Sequence, residues 1–137
     1  MKIAKEKIRA GISGFESPAN EYIDVALSLD ELLISHTSAT FIGRAQGDSM
    51  QGFGIFSGDL LIVDRAAPTN NFDIVVATLN GEFICKGIDR QQKALISASP
   101  NRHAHPLADD DDYQEEGIVV SSIRLHRPLA GGKLCTL

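Results

Sequence analysis

The sequence predicts a mostly β protein of short strands, with one short helix and an extended N-terminal arm. Asn80-Gly81 separates two apolar runs, at 73–79 and 82–86. This pattern predicts a two-residue β-hairpin, because a type I′ turn needs positive φ at both central residues. A continuous apolar run at 60–63 indicates a buried strand. Residues 1–22 show no apolar periodicity and are rich in glycine, serine and proline, as in an extended arm.

The other elements follow from local signals along the chain. Ser28 and Glu31 have the spacing of a capping box, which predicts a helix over about 29–35. Further strands are predicted at 39–42, 94–98 and 117–125, with an acidic loop at 109–116 and a loose tail at 131–137. Five or more short strands separated by turns favour a compact β fold, a barrel or a sandwich.

Composition limits the classes of function. The chain has 137 residues, enough for one domain with a sizeable core, and its formal net charge of −5 argues against a general nucleic-acid surface. No apolar run approaches the roughly 20 residues of a membrane helix, and the basic N-terminus lacks the apolar core of a secretory signal. Cys85 and Cys135 are interpreted as free thiols in a reducing compartment. We expect a cytoplasmic protein.

The hairpin register places Lys86. Counted from a two-residue turn, Lys86 faces Val75, and alternation along the strand puts it on one face with Ile84 and Ile88. An amine on that face is poorly solvated, which favours the uncharged form of lysine that a general base requires. The ordinary alternative is a lysine whose amine extends to water. Its neighbour Cys85 points to the opposite face and is predicted to pack in the core.

Ser49 lies in the motif Gly-Asp-Ser-Met at 47–50. Such a serine often hydrogen-bonds to the backbone of its own turn. Alternatively, it is a nucleophile at a strand-to-turn junction, where flanking N–H groups stabilise an oxyanion. A serine becomes a nucleophile only if a base takes its proton, and a neutral lysine can be that base.

Other titratable side chains carry no predicted site. The aspartates at 109–112 lack the spaced ligands and the glycine of a calcium loop, so a solvated loop is expected. His36, His103, His105 and His126 are scattered, and His103 and His105 share a face only if their segment is extended. We expect no metal and no cofactor.

Taken together, the motifs resemble the catalytic domain of the LexA-like self-cleaving serine peptidases. The matching segments follow in order: Gly-Asp-Ser-Met at 47–50, Gly-Asp-Leu-Leu-Ile-Val-Asp at 58–64, Asp-Ile-Val-Val at 73–76, and Gly-Glu-Phe at 81–83 before Lys86. Segments at 14–19, 30–36 and 38–40 are similar to one branch of that family, the accessory subunits of error-prone translesion DNA polymerases. The resemblance covers about residues 13–125 and implies a compact LexA-like β fold.

The resemblance also implies a serine–lysine dyad. Ser49 would be the nucleophile and Lys86, neutral when active, the general base. The backbone N–H groups of Asp48 and Ser49 would hold the oxyanion. The family cuts its own N-terminal arm before a glycine, which here gives the bond Ser13–Gly14. Family members usually carry Cys or Ala before that glycine, and Ser13 departs from this pattern while remaining small.

These expectations define two regions. Residues 1–38 form the arm with the cleavage site and the short helix, and residues 39–137 form the LexA-like serine–lysine peptidase domain. The resemblance implies an SOS-response protein whose cleavage is stimulated by a RecA–single-stranded DNA filament. The processed homodimer would act as accessory subunit of a Y-family, UmuC-like polymerase. We expect it neither to associate with a membrane nor to bind DNA directly in a sequence-specific way.

Other classes fit less well. A repressor needs a helix-turn-helix domain, and residues 1–38 lack two successive amphipathic helices. A signal peptidase also uses serine and lysine but needs a membrane anchor. The alternative that stays open is a non-cleaving interaction module of the same fold that binds a polymerase or RecA.

Overall fold

The computed structural model describes residues 1–5, 22–24 and 27–129. The chain divides into two units, Met1–Ser35 and His36–Leu137. The predicted cleavage site Ser13–Gly14, Cys135 and the predicted tail at 131–137 lie outside the described residues.

The first unit contains two short strands and one helix. Strands β1 (Lys2–Ala4) and β2 (Tyr22–Asp24) pair antiparallel. The sequence did not predict them, because three residues are too few to show alternation. Helix α1 (Leu29–Leu33) begins where predicted: the Glu31 N–H donates to the Ser28 hydroxyl at 3.2 Å. The helix ends two residues earlier than predicted, since Ile34 is already extended.

The second unit is built on one antiparallel sheet, which confirms the mostly β, LexA-like fold. Its strands are β3 (Thr40–Arg44), β4 (Leu60–Asp64), β5 (Ile74–Leu79), β6 (Glu82–Asp89), β7 (Ala94–Ala98), β8 (Arg102–Pro106) and β9 (Tyr113–Ile123). Their order in the sheet is β3-β4-β9-β5-β6-β7-β8. Short 3-10 helices at Thr37–Ala39 and Gln51–Phe53 flank β3 and precede β4.

The strongest sequence signals are confirmed. All five residues of β4 are buried, as a continuous apolar run predicts. β5 and β6 are joined by a two-residue turn in which Asn80 has φ 51° and Gly81 has φ 87°. Both positive φ values are those of a type I′ hairpin. β7 has its predicted bounds.

At the C-terminal side, one strand was not predicted and another begins earlier than predicted. β8 was not predicted: every one of its residues is exposed, so no apolar alternation marks it. Because this strand is extended, His103 and His105 lie on one face of it. β9 begins at Tyr113, so Glu115 and Glu116 lie in a strand and not in the acidic loop. The sheet accommodates Glu115 because Arg90 binds its carboxylate at 2.6 and 2.9 Å.

Two apolar clusters cover the two faces of the sheet at β5. Val75 and Ala77 belong to one cluster, with Ile88, Leu95 and Ile118. The neighbouring Ile74 and Val76 pack against the other, which contains Met50, Ile55, Leu61 and Val63. Consecutive β5 residues therefore support opposite faces, as the period of a strand requires. The second cluster lies directly beneath the turn that carries Ser49.

Candidate active site

Sheet register fixes the position of Lys86. Lys86 lies opposite Val75 across the β5–β6 hairpin, which confirms the predicted register. Ile84 and Ile88 pack with Val75 in one cluster, and Cys85 packs in the other. Burial raises the pKa of the Cys85 thiol to about 11 against the opposing effect of the Lys86 charge. The Cys85 thiol, which is partly buried against the second cluster, is therefore protonated at neutral pH, which argues against a role as nucleophile.

Ser49 is held in a turn between β3 and β4. The carbonyl of Met50 accepts hydrogen bonds from the N–H groups of Phe53 at 3.0 Å and Ile55 at 3.2 Å. The carbonyl of Ser49 itself accepts from the N–H of Ala98, at the end of β7, at 2.7 Å. Contacts from both its own loop and a distant strand thus set the position of the serine.

The base of this loop is closed by a second set of bonds. Ala45 N–H donates to the Asp59 carbonyl, and Gly58 N–H donates to the Ala45 carbonyl, both at 2.8 Å. The buried carboxylate of Asp59 accepts from Phe56 N–H at 2.8 Å and from the Arg124 guanidinium at 2.9 and 2.8 Å. The hydrogen bond from Arg124 lowers the pKa of Asp59 despite its burial. The ion pair between Asp59 and Arg124 therefore connects residues 45–59 to the segment that follows β9.

The fold brings the two predicted catalytic side chains together. Lys86 Nζ donates to Ser49 Oγ at 2.7 Å, although the two residues are 37 positions apart. Both side chains are partly buried and line one cavity of about 190 Å³. Within the described part of the chain, no carboxylate forms an ion pair with this amine. An amine at this distance can take the proton of a serine hydroxyl only in its uncharged form, when it accepts the hydrogen bond instead of donating it.

Backbone donors lie beside the serine. Among residues 1–5, 22–24 and 27–129, no acceptor takes a hydrogen bond from the N–H of Asp48 or of Ser49. Gly47, with φ 92°, lets the chain turn just before them. Two adjacent N–H groups without an acceptor can stabilise a negatively charged oxygen at the serine.

A larger cavity adjoins the first. Its volume is about 430 Å³, and it runs between β3 and β6. The two cavities share five wall residues: Ala45, Gln46, Phe83, Ile84 and Cys85. Phe41, Leu61 and Val76 add apolar surface to the larger cavity only. The site is therefore a small cavity of mixed polar and apolar lining at Ser49 and Lys86, continued by a wider and more apolar one.

Sequence reasoning missed two side-chain contacts in which buried carboxylates take part. His36 Nδ1 lies 2.6 Å from the buried carboxylate of Asp64, and their hydrogen bond lowers the pKa of Asp64. Asp59 and Arg124 form the second pair. The partners are 28 and 65 positions apart, and no local pattern marks such pairs.

Two kinds of feature are missing from the described segments. Within them, no group of three or more His, Cys, Asp or Glu side chains could hold a metal ion. No helix among the same residues has the length and apolar character needed to cross a bilayer.

Comparison with known proteins identifies the family of the chain. The peptidase S24-like family model matches residues 3–120. The protein SamA of Salmonella typhimurium is 39% identical over 115 residues, which cover 84% of this chain and 81% of SamA. The protein ImpA of Escherichia coli is 47% identical over 117 residues, covering 83% and 75%. MucA of Escherichia coli is 42% identical over 116 residues, covering 83% and 80%.

A LexA repressor is a more distant relative. The repressor of Psychromonas ingrahamii is 34% identical over 109 residues, which cover 77% of this chain and 52% of the repressor. The family match and the mostly β sheet agree on a serine-peptidase fold of the self-cleaving type. The chain belongs to the peptidase S24-like family, among its UmuD-like members.

Proposed function

We propose that this chain is a self-cleaving serine peptidase of the SOS response, which cuts its own arm between Ser13 and Gly14. The observation that carries the proposal is the 2.7 Å contact between Ser49 Oγ and Lys86 Nζ. A chance contact between an exposed serine and lysine would be unremarkable. Here the contact is partly buried, lines a cavity, and occurs in a peptidase family.

The first chemical step is acyl transfer. The neutral amine of Lys86 accepts the proton of the Ser49 hydroxyl as Oγ attacks the carbonyl carbon of Ser13. The N–H groups of Asp48 and Ser49 stabilise the oxyanion. The bond to the nitrogen of Gly14 then breaks, and that nitrogen takes the proton from the Lys86 ammonium. The result is an ester between Ser13 and Ser49.

The second step is hydrolysis of the ester. Lys86, neutral again, takes a proton from water as the water oxygen attacks the ester carbonyl. The ester bond breaks, and Ser49 Oγ recovers its proton from Lys86. The products are residues 1–13 and residues 14–137. No group outside the chain other than water is required.

The same proposal accounts for regulation and partners. A RecA–single-stranded DNA filament need supply no chemical group: it need only favour the conformer with the arm at the dyad and Lys86 uncharged. The processed homodimer then acts as accessory subunit of a Y-family, UmuC-like polymerase in the cytoplasm. No metal, cofactor or sequence-specific DNA contact takes part.

The intact mass of the protein tests this proposal. Purified chain is incubated with RecA, single-stranded DNA and a slowly hydrolysed nucleotide. We expect the loss of residues 1–13, with no loss in Ser49→Ala. Ser122→Ala is the matched control, since it removes an exposed hydroxyl on β9, and should be cut at the wild-type rate. Cleavage at another bond would refute the assignment of Ser13–Gly14.

A second series raises the pH without RecA. The rate should increase with pH, because the base is the uncharged form of lysine. An unchanged mass in both series would overturn the self-cleavage proposal. The chain would then be the alternative considered from sequence, a module of the same fold that binds a polymerase or RecA without cutting.

A further inference from the structure

The apolar cavity beside the dyad contains no part of the proposed catalytic machinery. Its volume of about 430 Å³ exceeds what a serine or glycine needs, and its wall includes Phe41, Leu61 and Val76. Phe83 stands where the two cavities meet, and 75% of its surface is exposed. An exposed phenyl ring beside an apolar cavity is typical of a surface that binds an apolar group.

The sequence of the arm indicates which side chain could enter. Around the proposed bond it reads Gly11-Ile12-Ser13-Gly14-Phe15. In an extended segment, alternate side chains point the same way. If the side chain of Ser13 points into the cavity at the dyad, Gly11 and Phe15 point the same way and Ile12 points away. Gly11 has no side chain, so Phe15 is the large apolar group on that side.

The residue spacing of an extended chain supports this assignment. Phe15 is two residues beyond Ser13, which is about 7 Å in an extended chain. Along β6, Ile84 is two residues from Lys86, and it lines both cavities. An arm lying along β6 with Ser13 at the dyad therefore brings Phe15 to the wider cavity. The opposite chain direction would bring Gly11 there and leave the cavity unfilled.

We propose that the apolar cavity between β3 and β6 is the binding site for the phenyl ring of Phe15, with Phe83 as its contact at the rim. The inference rests on the proposed cleavage at Ser13–Gly14, and it assigns the direction of the arm along β6. Phe15 and Phe83 are specificity-determining residues, since they hold the arm and touch no reacting atom.

The first test compares two arm variants of the full chain. Cleavage without RecA at alkaline pH is followed by intact mass as a first-order rate. Phe15→Ala should be cut about tenfold or more slowly, because docking loses the burial of a phenyl ring. Phe15→Leu should retain most of the rate. Ile12→Ala is the matched control and should stay within about threefold of wild type.

The second test compares two exposed phenylalanines of the peptidase domain. Phe83→Ala should also slow cleavage about tenfold. Phe72, which is 70% exposed and lines neither cavity, should be replaceable by Ala without effect. If the two rings touch, Phe15→Ala should slow cleavage little further in a protein that already carries Phe83→Ala.

The outcomes separate this inference from the proposed function. Wild type cut at Ser13–Gly14, with Ser49→Ala uncut, upholds the function. If Phe15→Ala is then cut at the wild-type rate, or Ile12→Ala is the slower variant, the assignment of the cavity is overturned. If wild type is uncut under all conditions, both proposals fall.

Discussion

The two residues of the proposed dyad are held by different kinds of contact. Lys86 is placed by the register of a single hairpin, counted from the Asn80-Gly81 turn. Ser49 is placed by a loop whose bonds reach Ala98 on β7 and, through Asp59, Arg124 beyond β9. The lysine is therefore fixed by nearby sequence and the serine by distant sequence. Changes on the serine side should perturb the 2.7 Å contact more than changes on the lysine side.

The largest effect tests the lysine as a base and not as a charge. Lys86→Arg keeps a long cationic side chain, but a guanidinium does not lose its proton in proteins. We expect the cleavage rate to fall at least about a thousandfold, as it does when one residue of a cooperating catalytic set is removed. Lys93→Arg, at an exposed position of the β6–β7 turn, is the control. Cleavage retained in Lys86→Arg would exclude lysine as the base.

The next largest effect comes from a change in the packing of the turn that carries Ser49. A Cβ on Gly52 would lie 2.5 Å from the Cβ and 2.8 Å from the carbonyl oxygen of Ala98. Gly52→Ala must therefore move the turn away from β7, which supports the Ser49 carbonyl. We expect a loss of about 1–3 kcal/mol in the free energy of unfolding and cleavage slowed by roughly tenfold or more.

The control for that stability measurement is Gly43→Ala. A Cβ on Gly43 meets nothing within 4 Å, and its φ is not positive. Denaturant unfolding should leave this variant within about 0.5 kcal/mol of wild type. Unfolding is followed in a Ser49→Ala background, so that cleavage does not alter the sample. Equal losses of stability in both variants would show that the replacement of a glycine itself, and not the contact with Ala98, causes the destabilisation.

The same difference between local and distant contacts decides what could be predicted from the sequence. The Asn80-Gly81 turn and the alternation of β6 sufficed to place Lys86 opposite Val75. The continuous apolar run of β4 likewise sufficed to predict a buried strand. Each prediction depends only on residues close together in the chain, where a period or a turn type leaves one arrangement.

Contacts between distant segments were not predictable in this way. The ion pair of Asp59 with Arg124 and the hydrogen bond between His36 and Asp64 leave no periodic signal. Strand β8 is exposed on both faces and shows no alternation. The approach of Ser49 to Lys86 was expected only because the ordered motifs resemble a known family. Local pattern left both residues open to ordinary interpretations.

Two glycines with similar backbone conformations allow the support of Ser49 to be compared with the support of Lys86. Gly47 has φ 92° and Gly81 has φ 87°, and a Cβ at either meets nothing within 4 Å. Alanine at either position should cost about 1 kcal/mol of stability through backbone strain alone. Gly47→Ala lies two residues from Ser49 and should slow cleavage about tenfold. Gly81→Ala should leave the rate within about twofold, because the remaining β5–β6 pairs keep the register of Lys86.

Cleavage rate and unfolding free energy are measured on both variants. Similar losses of stability, with slower cleavage only in Gly47→Ala, would support the conclusion that Ser49 depends on distant contacts and Lys86 on the hairpin. Equal slowing in both would show that hairpin and loop are coupled through the sheet, and the distinction between local and distant support would fail.

The smallest effect concerns the charge that ties the loop of Ser49 to Arg124. The pKa of Asp59 lies below its ordinary value because Arg124 donates to it. Such a carboxyl stabilises the fold above its unfolded pKa, about 3.9, and this contribution is lost as the pH falls through the folded value. Arg124→Met should therefore unfold at lower denaturant concentration than wild type at pH 7, with a gap that narrows below pH 4. Cleavage at pH 7 should slow a few-fold.

Arg127→Met removes the same charge from an exposed residue three positions on and is the control. Part of the acid sensitivity should persist in Arg124→Met, since the lowered pKa of Asp64 depends on His36 and not on Arg124. A gap between Arg124→Met and wild type that stays constant from pH 7 to pH 3.5 would mean that Arg124 acts by packing on Phe56, 4.1 Å from its ring centroid, and not by its charge. The serine turn would then be held by packing and by its backbone hydrogen bonds, and not by the charge of Arg124.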